Sequence, residues 1–362
     1  MIKCSNCLRD YPEQGVPFRC PICGGIFDFS STFAYDPTLI DLSQPGIWKY
    51  RHTFELPDHA QTITLGEGNT PLVWAHVFGK EVGFKLEFLN PTGSFKDRGS
   101  AVLVSFVESR LVRAIIEDSS GNAGSSLAAY AARAGITAKI YIPESTSGPK
   151  KNQIEAYGAQ LIRTLGPRSK TSEAVLQAAN QGEVYASHAY LPQGIAGYAT
   201  IAYELVEQIG KPPNAVIVPV GQGNLLLGVG RGFKSMQLTD HTSFSPAMIG
   251  VQALACAPLW AVSQYGPAGL SWVTEGDTLA EGVRIHYPLR GDAVLKTTQE
   301  AGGFFIAVEE DKIIPGRDDL AHLGLYVEPT SAIVWEALKQ VVHKFPEPIV
   351  VILTGSGFKY RG

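Results

Sequence analysis

Two groups of residues in this sequence have the types and spacing for chemistry. The first is four cysteines in two pairs, Cys4-Ser5-Asn6-Cys7 and Cys20-Pro21-Ile22-Cys23. A CxxC turn folds two thiolates toward one point, and two such turns complete a tetrahedral zinc shell. Gly24-Gly25 suits the tight turn that faces backbone N–H groups toward the sulfurs. A segment of only about 25 residues cannot hold itself together by apolar burial, so the metal would be its core. With all four positions filled by protein, the expected zinc is structural. Rubredoxin-like iron and a pair of disulfides are the alternatives. Lys3, Arg9 and Arg19 are too sparse a charge cluster for this module to read as a nucleic-acid binder. The fifth cysteine, Cys256, is expected as a buried small apolar residue.

The second group is four loops rich in glycine and hydroxyl side chains. Asn90-Pro91-Thr92-Gly93-Ser94-Phe95-Lys96-Asp97-Arg98-Gly99 sets a lysine among small polar neighbours at a strand-to-helix turn. A helix N-terminus disfavours a bare ammonium, so an amine aimed into a cleft there suits Schiff-base chemistry. Ser119-Ser120-Gly121-Asn122-Ala123-Gly124 offers backbone donors and an amide at another helix start. Val220-Gly221-Gln222-Gly223-Asn224-Leu225 opens a third helix, whose dipole and free N–H groups make an anion cradle. It is not GxGxxG, since the next glycine is Gly228, and no Walker lysine follows. Leu353-Thr354-Gly355-Ser356-Gly357 ends the last strand with two hydroxyls.

Such loops need strands and helices to position them. β-rich runs at 84–89, 112–117, 139–142, 160–163, 215–220, 248–252, 304–308 and 349–353 alternate with helix-like stretches at 123–134, 169–180, 195–209, 225–235 and 331–344. The alternation predicts an α/β fold with largely parallel, doubly wound sheets, and places ligands at the C-terminal ends of the strands. Residues 26–65 show no clear period and read as a connector. A chain of 362 residues is expected to form about two domains. Its 45% apolar content excludes a disordered chain. A net charge of −4 without Lys/Arg runs argues against a nucleic-acid partner. No apolar run reaches the roughly 18–20 residues of a membrane span, and no signal pattern opens the chain, so a cytoplasmic protein is expected. The 38 glycines exceed the usual ~7% and must sit in particular loops.

Together the four loops resemble the fold type II pyridoxal-phosphate enzymes, and most closely the threonine synthase family. Further matches are Leu65-Gly66-Glu67-Gly68-Asn69-Thr70-Pro71-Leu72, Val251-Gln252-Ala253, Glu328-Pro329-Thr330-Ser331-Ala332 and Thr354-Gly355-Ser356-Gly357-Phe358-Lys359; the cysteine ribbon and Ile47-Trp48-Lys49-Tyr50 also have counterparts. The resemblance implies that Lys96 carries the cofactor aldehyde and serves as general base and acid. It implies that Asn122 bonds the cofactor's phenolic oxygen and that the backbone of Gly221, Gln222, Gly223, Asn224 and Leu225 cradles its phosphate. Thr354, rather than Ser356, would face the pyridine nitrogen. Ser119, Ser120, Gly121 and Asn122 would hold the substrate carboxylate. A neutral hydroxyl at the ring nitrogen favours elimination and replacement at Cβ or Cγ over transamination. The implied organisation is a zinc ribbon at 1–29, a large pyridoxal-phosphate domain from 30–95 and 201–362, and a smaller substrate-side domain at 96–200. A homodimer acting on a small amino acid, with no nucleic-acid or membrane partner, completes the expectation.

One segment departs from the family pattern. Threonine synthases release phosphate from O-phosphohomoserine, and hold it with an Asn-Ser pair and an arginine ahead of a Gly-x-x-Thr helix start. Counted back from Thr200, these positions are His188-Ala189 and Gly194. Ile195-Ala196-Gly197 before Thr200 is instead similar to serine/threonine dehydratases. The family pattern as a whole makes threonine formation from O-phosphohomoserine the expected reaction. The alternative is elimination or β-replacement on another amino acid, as in the dehydratases or cysteate synthase. Arg284 or Lys150-Lys151 could replace the missing charge, Arg284 also reading as a salt-bridge partner, and His188 as a pocket residue or substrate contact.

Overall fold

The computed structural model describes residues 1–360 apart from Ser147 and Pro167. Strands β1 (Ile2–Cys4) and β2 (Phe27–Phe29) pair antiparallel and frame the cysteine module. Downstream, a 3-10 segment at Gly46–Thr53 buries Ile47, Trp48 and Tyr50 completely. The aperiodic sequence reads as a connector, yet it is core. Buried Trp and Tyr need partners for their polar ends. Trp48 Nε1 donates to Glu67 Oε1 at 2.8 Å and the Tyr50 hydroxyl donates to Glu207 at 2.6 Å.

Strands β3 (Leu72–Val77) and β4 (Lys80–Leu86) form a hairpin. Its turn residues Phe78 and Gly79 have φ of 52° and 75°, as a two-residue hairpin loop with right-handed twist requires. The strand expected at 84–89 therefore starts earlier and stops at Leu86, where a 3-10 turn at Glu87–Leu89 redirects the chain. Helix α1 (Lys96–Ser109) follows, then β5 (Ala114–Glu117), α2 (Asn122–Arg133), β6 (Thr137–Pro143), α3 (Pro149–Ala156), β7 (Gln160–Thr164) and α4 (Arg168–Asn180). Next come α5 (Gln193–Ile209), β8 (Ala215–Pro219), α6 (Asn224–Leu238), β9 (Ala247–Ala253) and α7 (Pro258–Tyr265). The chain ends with α8 (Gly291–Glu300), β10 (Phe304–Val308), α9 (Ile313–His322), α10 (Pro329–Val341) and β11 (Ile349–Leu353).

The strands make a six-stranded sheet in the order β10-β9-β8-β11-β4-β3 and a three-stranded sheet β5-β6-β7. All pairings in them are parallel except β3 with β4, so the larger sheet is mixed. Both faces of its central strands are covered, which is why these strands are continuously apolar. Val216, Val218, Val350 and Ile352 pack with residues of α1, α2, α5 and α6. The alternate residues Ala215, Ile217, Ile349, Val351 and Leu353 pack with α9 and α10. Helix α5 continues through residue 200 and its first fourteen residues are buried. No helix among the described residues is long and apolar enough to cross a membrane.

One polar cluster lies inside this apolar packing. Arg98, fully buried on α1, donates twice to Glu87 at 2.7 Å and to both oxygens of Glu204 on α5 at 2.7 and 2.8 Å. Lys85 of β4 donates to Glu204 at 2.7 Å. The two carboxylates and two cations neutralise one another, and Thr70 and Thr200 add hydroxyl partners. Removing one partner from a buried set leaves an uncompensated charge, which costs about 3–5 kcal/mol. Arg98→Met is therefore expected to lower unfolding free energy by about that amount in a denaturant titration. A loss under about 1 kcal/mol would show that the cluster does not hold α1 to α5.

Candidate active site

The four glycine-rich loops lie at the C-terminal ends of β4, β5, β8 and β11, where the sequence places them. The lysine loop and the last loop are laced together. Phe95 N–H donates to the Thr354 carbonyl at 3.0 Å, Ser356 N–H donates to the Gly93 carbonyl at 3.0 Å, and Ser94 bridges to Gly355. Lys96 begins α1, and its amine lies 4.7 Å from the Phe95 ring centre and 6.0 Å from that of Tyr198. Burial pushes this amine down to about 8, an effect that Glu117 partly offsets. Burial disfavours the ammonium, so the nucleophilic neutral form is populated near neutrality.

The loop after β5 meets this pair through Asn122. Its amide nitrogen donates to Glu328 Oε1 at 2.6 Å, while its carbonyl oxygen is buried without a partner. Glu328 also binds Lys150 at 2.8 Å, and its N–H donates to the Gly355 carbonyl at 3.0 Å. A side chain at Gly355 would collide with the Glu328 carboxylate, so that position must be bare. The two hydroxyls of the last loop differ. Ser356 Oγ accepts from Phe358 N–H and caps a 3-10 turn, whereas Thr354 Oγ is buried and unpartnered. Ser119 caps its own loop, its hydroxyl accepting from Gly121 N–H at 3.3 Å. Ser120 and Gly121 are partly exposed beside it.

The loop after β8 is a cradle. Gly223 has φ +83°, a left-handed conformation natural to glycine. Its side-chain neighbours are committed to other partners. Gln222 accepts from Leu289 N–H at 3.0 Å and Asn224 donates to the His188 carbonyl at 2.9 Å. Among the described residues, the N–H groups of Gly221, Gln222, Gly223 and Asn224 donate to no carbonyl. With Leu225 they crown a fifteen-residue helix, a site that favours an anion.

Two carboxyl groups that sequence reasoning did not assign define the rest of the site. Glu328 lies in the Glu328-Pro329-Thr330-Ser331-Ala332 motif, whose role the sequence leaves open. Glu117 ends β5, directly before the Ser119–Asn122 loop, and an acidic pair at a strand's C-terminal end was the available signal. Glu117 Oε1 lies 2.9 Å from His188 Nδ1, and Oε2 is buried without a partner. Burial, reinforced by Asp118, pushes the Glu117 carboxyl well up. Burial and the Lys96 charge push the His188 imidazole well down. Both groups therefore favour their neutral forms. With Gly99, Ser100, Gly194 and Tyr198 they line a small cavity beyond Lys96. Gly194 and Gly197 lie where α1 and α5 cross closely. A Cβ at Gly194 would come 3.2 Å from the Gly99 carbonyl oxygen, and one at Gly197 would overlap that of Arg98. The cations that could replace the missing arginine are engaged. Lys150 binds Glu328, Lys151 binds Glu155 at 3.0 Å, and Arg284 binds Asp277 at 2.8 Å.

Among the described residues, the cysteine module contributes none to the lining of this cavity. Sγ atoms of Cys4, Cys7, Cys20 and Cys23 all lie within 4.8 Å of one another, with Cys4–Cys23 at 3.4 Å and Cys7–Cys20 at 3.7 Å. Tetrahedral zinc–thiolate bonds of about 2.3 Å set sulfurs about 3.8 Å apart, so the four fit such an ion. Cys256 is fully buried, as expected.

Residues 63–355 match the family model described as pyridoxal-phosphate dependent enzyme. The threonine synthase of Methanocaldococcus jannaschii is 30% identical, with 99% of this chain and 92% of that protein covered. That of Mycobacterium tuberculosis is 32% identical, covering 89% and 91%. Among solved structures, maize serine racemase superposes with a TM-score of 0.69 at 22% identity, over 80% of this chain and 88% of that one. The serine racemase of Dictyostelium discoideum gives 0.65 at 24% identity, covering 79% and 92%. A solved threonine deaminase gives 0.66 at 24% identity, covering 81% and 94%. These three establish the fold alone. Uptake of pyridoxal phosphate by the cofactor-free protein should quicken as pH rises through about 8 and level off above it, followed by visible absorbance. A rise centred near the ordinary lysine value, about 10.4, would contradict a desolvated Lys96.

Proposed function

This chain belongs to the pyridoxal-phosphate-dependent enzymes, and within them to the threonine synthase family of lyases. From that membership we propose that it eliminates or replaces a substituent at Cβ or Cγ of a small amino acid. The observation that carries the reading is the set of unsatisfied groups around Lys96. A depressed amine, the bare Asn122 carbonyl oxygen, the free Thr354 hydroxyl and the unpaired N–H groups at 221–224 suit the aldehyde, ring and phosphate of the cofactor. The bound group would supply an electron sink for carbanions at Cα. In this reading Lys96 holds it and moves protons at Cα. Asn122 orients the ring edge, and Thr354 faces the ring nitrogen as a neutral hydroxyl. The N–H groups of Gly221 through Leu225 take the phosphate. Ser119, Ser120 and Gly121, with Asn122, hold the substrate carboxylate. The unit at 96–200 would close over that substrate, and a homodimer is the assembly we propose.

Two substrates fit this chemistry. The relatives' names support O-phosphohomoserine, converted to threonine with release of phosphate. A specific feature favours the second, an amino acid without a phosphate such as serine or threonine. The cavity beyond Lys96 presents a buried carboxyl and an imidazole, and no guanidinium. A dianion there lacks a bidentate cationic partner. Phosphate release from O-phosphohomoserine, assayed beside keto-acid formation from serine and threonine, separates the two. Keto acid without phosphate release supports the substrate that the cavity favours. Phosphate release without keto acid supports O-phosphohomoserine. Lys96→Ala is expected to abolish either activity together with the cofactor's visible band; a retained band would remove Lys96 from its role.

For the cysteine module we propose structural zinc, with iron as the competing ion. Metal analysis should find zinc in the purified protein and lose it in Cys20→Ser. Iron in its place, or full retention in the variant, would sink the assignment.

A further inference from the structure

The cysteine module is bolted to the wall of the pocket, and one side chain makes the joint. Arg290 precedes α8 and is 3% exposed. Its guanidinium donates to the Phe27 carbonyl in β2 at 2.6 Å, to the Ala189 carbonyl at 2.6 Å and to the Tyr190 carbonyl at 2.7 Å. Three backbone acceptors from two distant segments thus converge on one fixed cation. A planar, rigid fork suits that task better than a single ammonium, which can reach some of these acceptors but not all three in one geometry. Neighbouring contacts repeat the connection. Asp28 forms a two-pronged pair with Arg231 of α6 at 2.8 Å. Arg19 donates to the Tyr190 hydroxyl at 3.0 Å, and Phe18 meets the rings of Tyr185 and Tyr190 at 5.3 Å.

The clamped segment is the one that carries His188. Its other attachments include Asn224 on the His188 carbonyl, Glu117 on the imidazole and, at its start, the Ala186 N–H donating to the Ile116 carbonyl of β5 at 3.0 Å. The residue before Arg290 is tied to the cradle, since Leu289 N–H donates to Gln222. A side chain at Gly223 would strike Val294 of α8, so that helix packs directly on the cradle.

We propose that Arg290 is a positioning residue, through which the cysteine module fixes residues 187–190 and so the wall of the substrate pocket. The module is then a brace for substrate binding and not only an appended knob. This inference rests on the pocket assignment above, yet its first test does not require the substrate. Local opening is read by amide exchange. In the cofactor-loaded full chain, Arg290→Gln should speed exchange of amides in 186–191 at least tenfold, with peptides from β8 and β11 unchanged. Stripping metal from the wild-type protein with a chelator should speed the same amides, and should add little in Arg290→Gln. Arg290→Lys should restore part of the protection. Under steady-state assay on O-phospho-L-homoserine and on L-serine, whichever is turned over should show KM raised about tenfold and kcat changed less than threefold. Unchanged exchange at 186–191 after both chelation and substitution would overturn the proposal. So would a uniform rise across all peptides, which marks a general loss of stability. Absence of turnover with both compounds would count against the proposed function while leaving the exchange result to decide the brace.

Discussion

The molecule depends on a guanidinium that water never reaches. Arg98 sits two residues beyond Lys96 and binds Glu87, in the 3-10 turn that follows β4, and Glu204 in the middle of α5. Those contacts hold the start of α1 against both the sheet and the adjoining helix. Charge is an expensive way to join apolar layers, because each ion loses its hydration. The gain is geometric: a bidentate pair defines direction as well as distance. Lys96, at the first turn of α1, inherits that direction. The close crossing at Gly99, Gly194 and Gly197 follows from the same contact and removes the room a larger side chain would need.

Outward from this anchor, the site is assembled mostly from backbone. Phe95 and Ser356 knit two loops together through main-chain bonds, and the cradle at 221–224 presents main-chain donors. Among the described residues, side chains around the pocket with an unpaired polar atom include Asn122, Thr354 and Glu117, together with Ser94 of the lysine loop and Gln193 beside Gly194. An anion at that cradle would meet backbone dipoles and would need no basic patch, in keeping with a net charge of −4. The far wall is different, since His188 is held by Glu117 on one side and by Arg290's grip on the next two carbonyls on the other.

Much of this is legible in the sequence, for physical reasons. A phosphate cradle demands small residues at a helix start, and Gly221-Gln222-Gly223 meets that demand locally. Continuous apolar runs such as Ile349–Leu353 announce strands covered on both faces. Local pattern fails where the partner is remote. The edge strand Leu72–Val77 is apolar at five of its six positions, yet its burial does not alternate and Trp74 and His76 face outward, so neither an alternating pattern nor a fully covered strand marks it. Trp48 and Tyr50 are core only because Glu67 and Glu207 complete them. Glu117 meets His188 across 71 positions and Asn122 meets Glu328 across 206; no window of sequence contains either pair. In the sequence Gly194 stands for a missing arginine, and the structure adds that it lies at a close helix crossing where a Cβ would come within 3.2 Å of the Gly99 carbonyl oxygen.

In the proposed site Lys96 is the residue that would hold the cofactor. Borohydride reduction of the purified protein, followed by proteolysis and mass spectrometry, fixes the pyridoxyl group on whichever lysine carries it. A single modified peptide is expected, with the group on Lys96. Modification of Lys85, Lys150 or Lys359 instead, or of no lysine after loading with pyridoxal phosphate, would contradict that role.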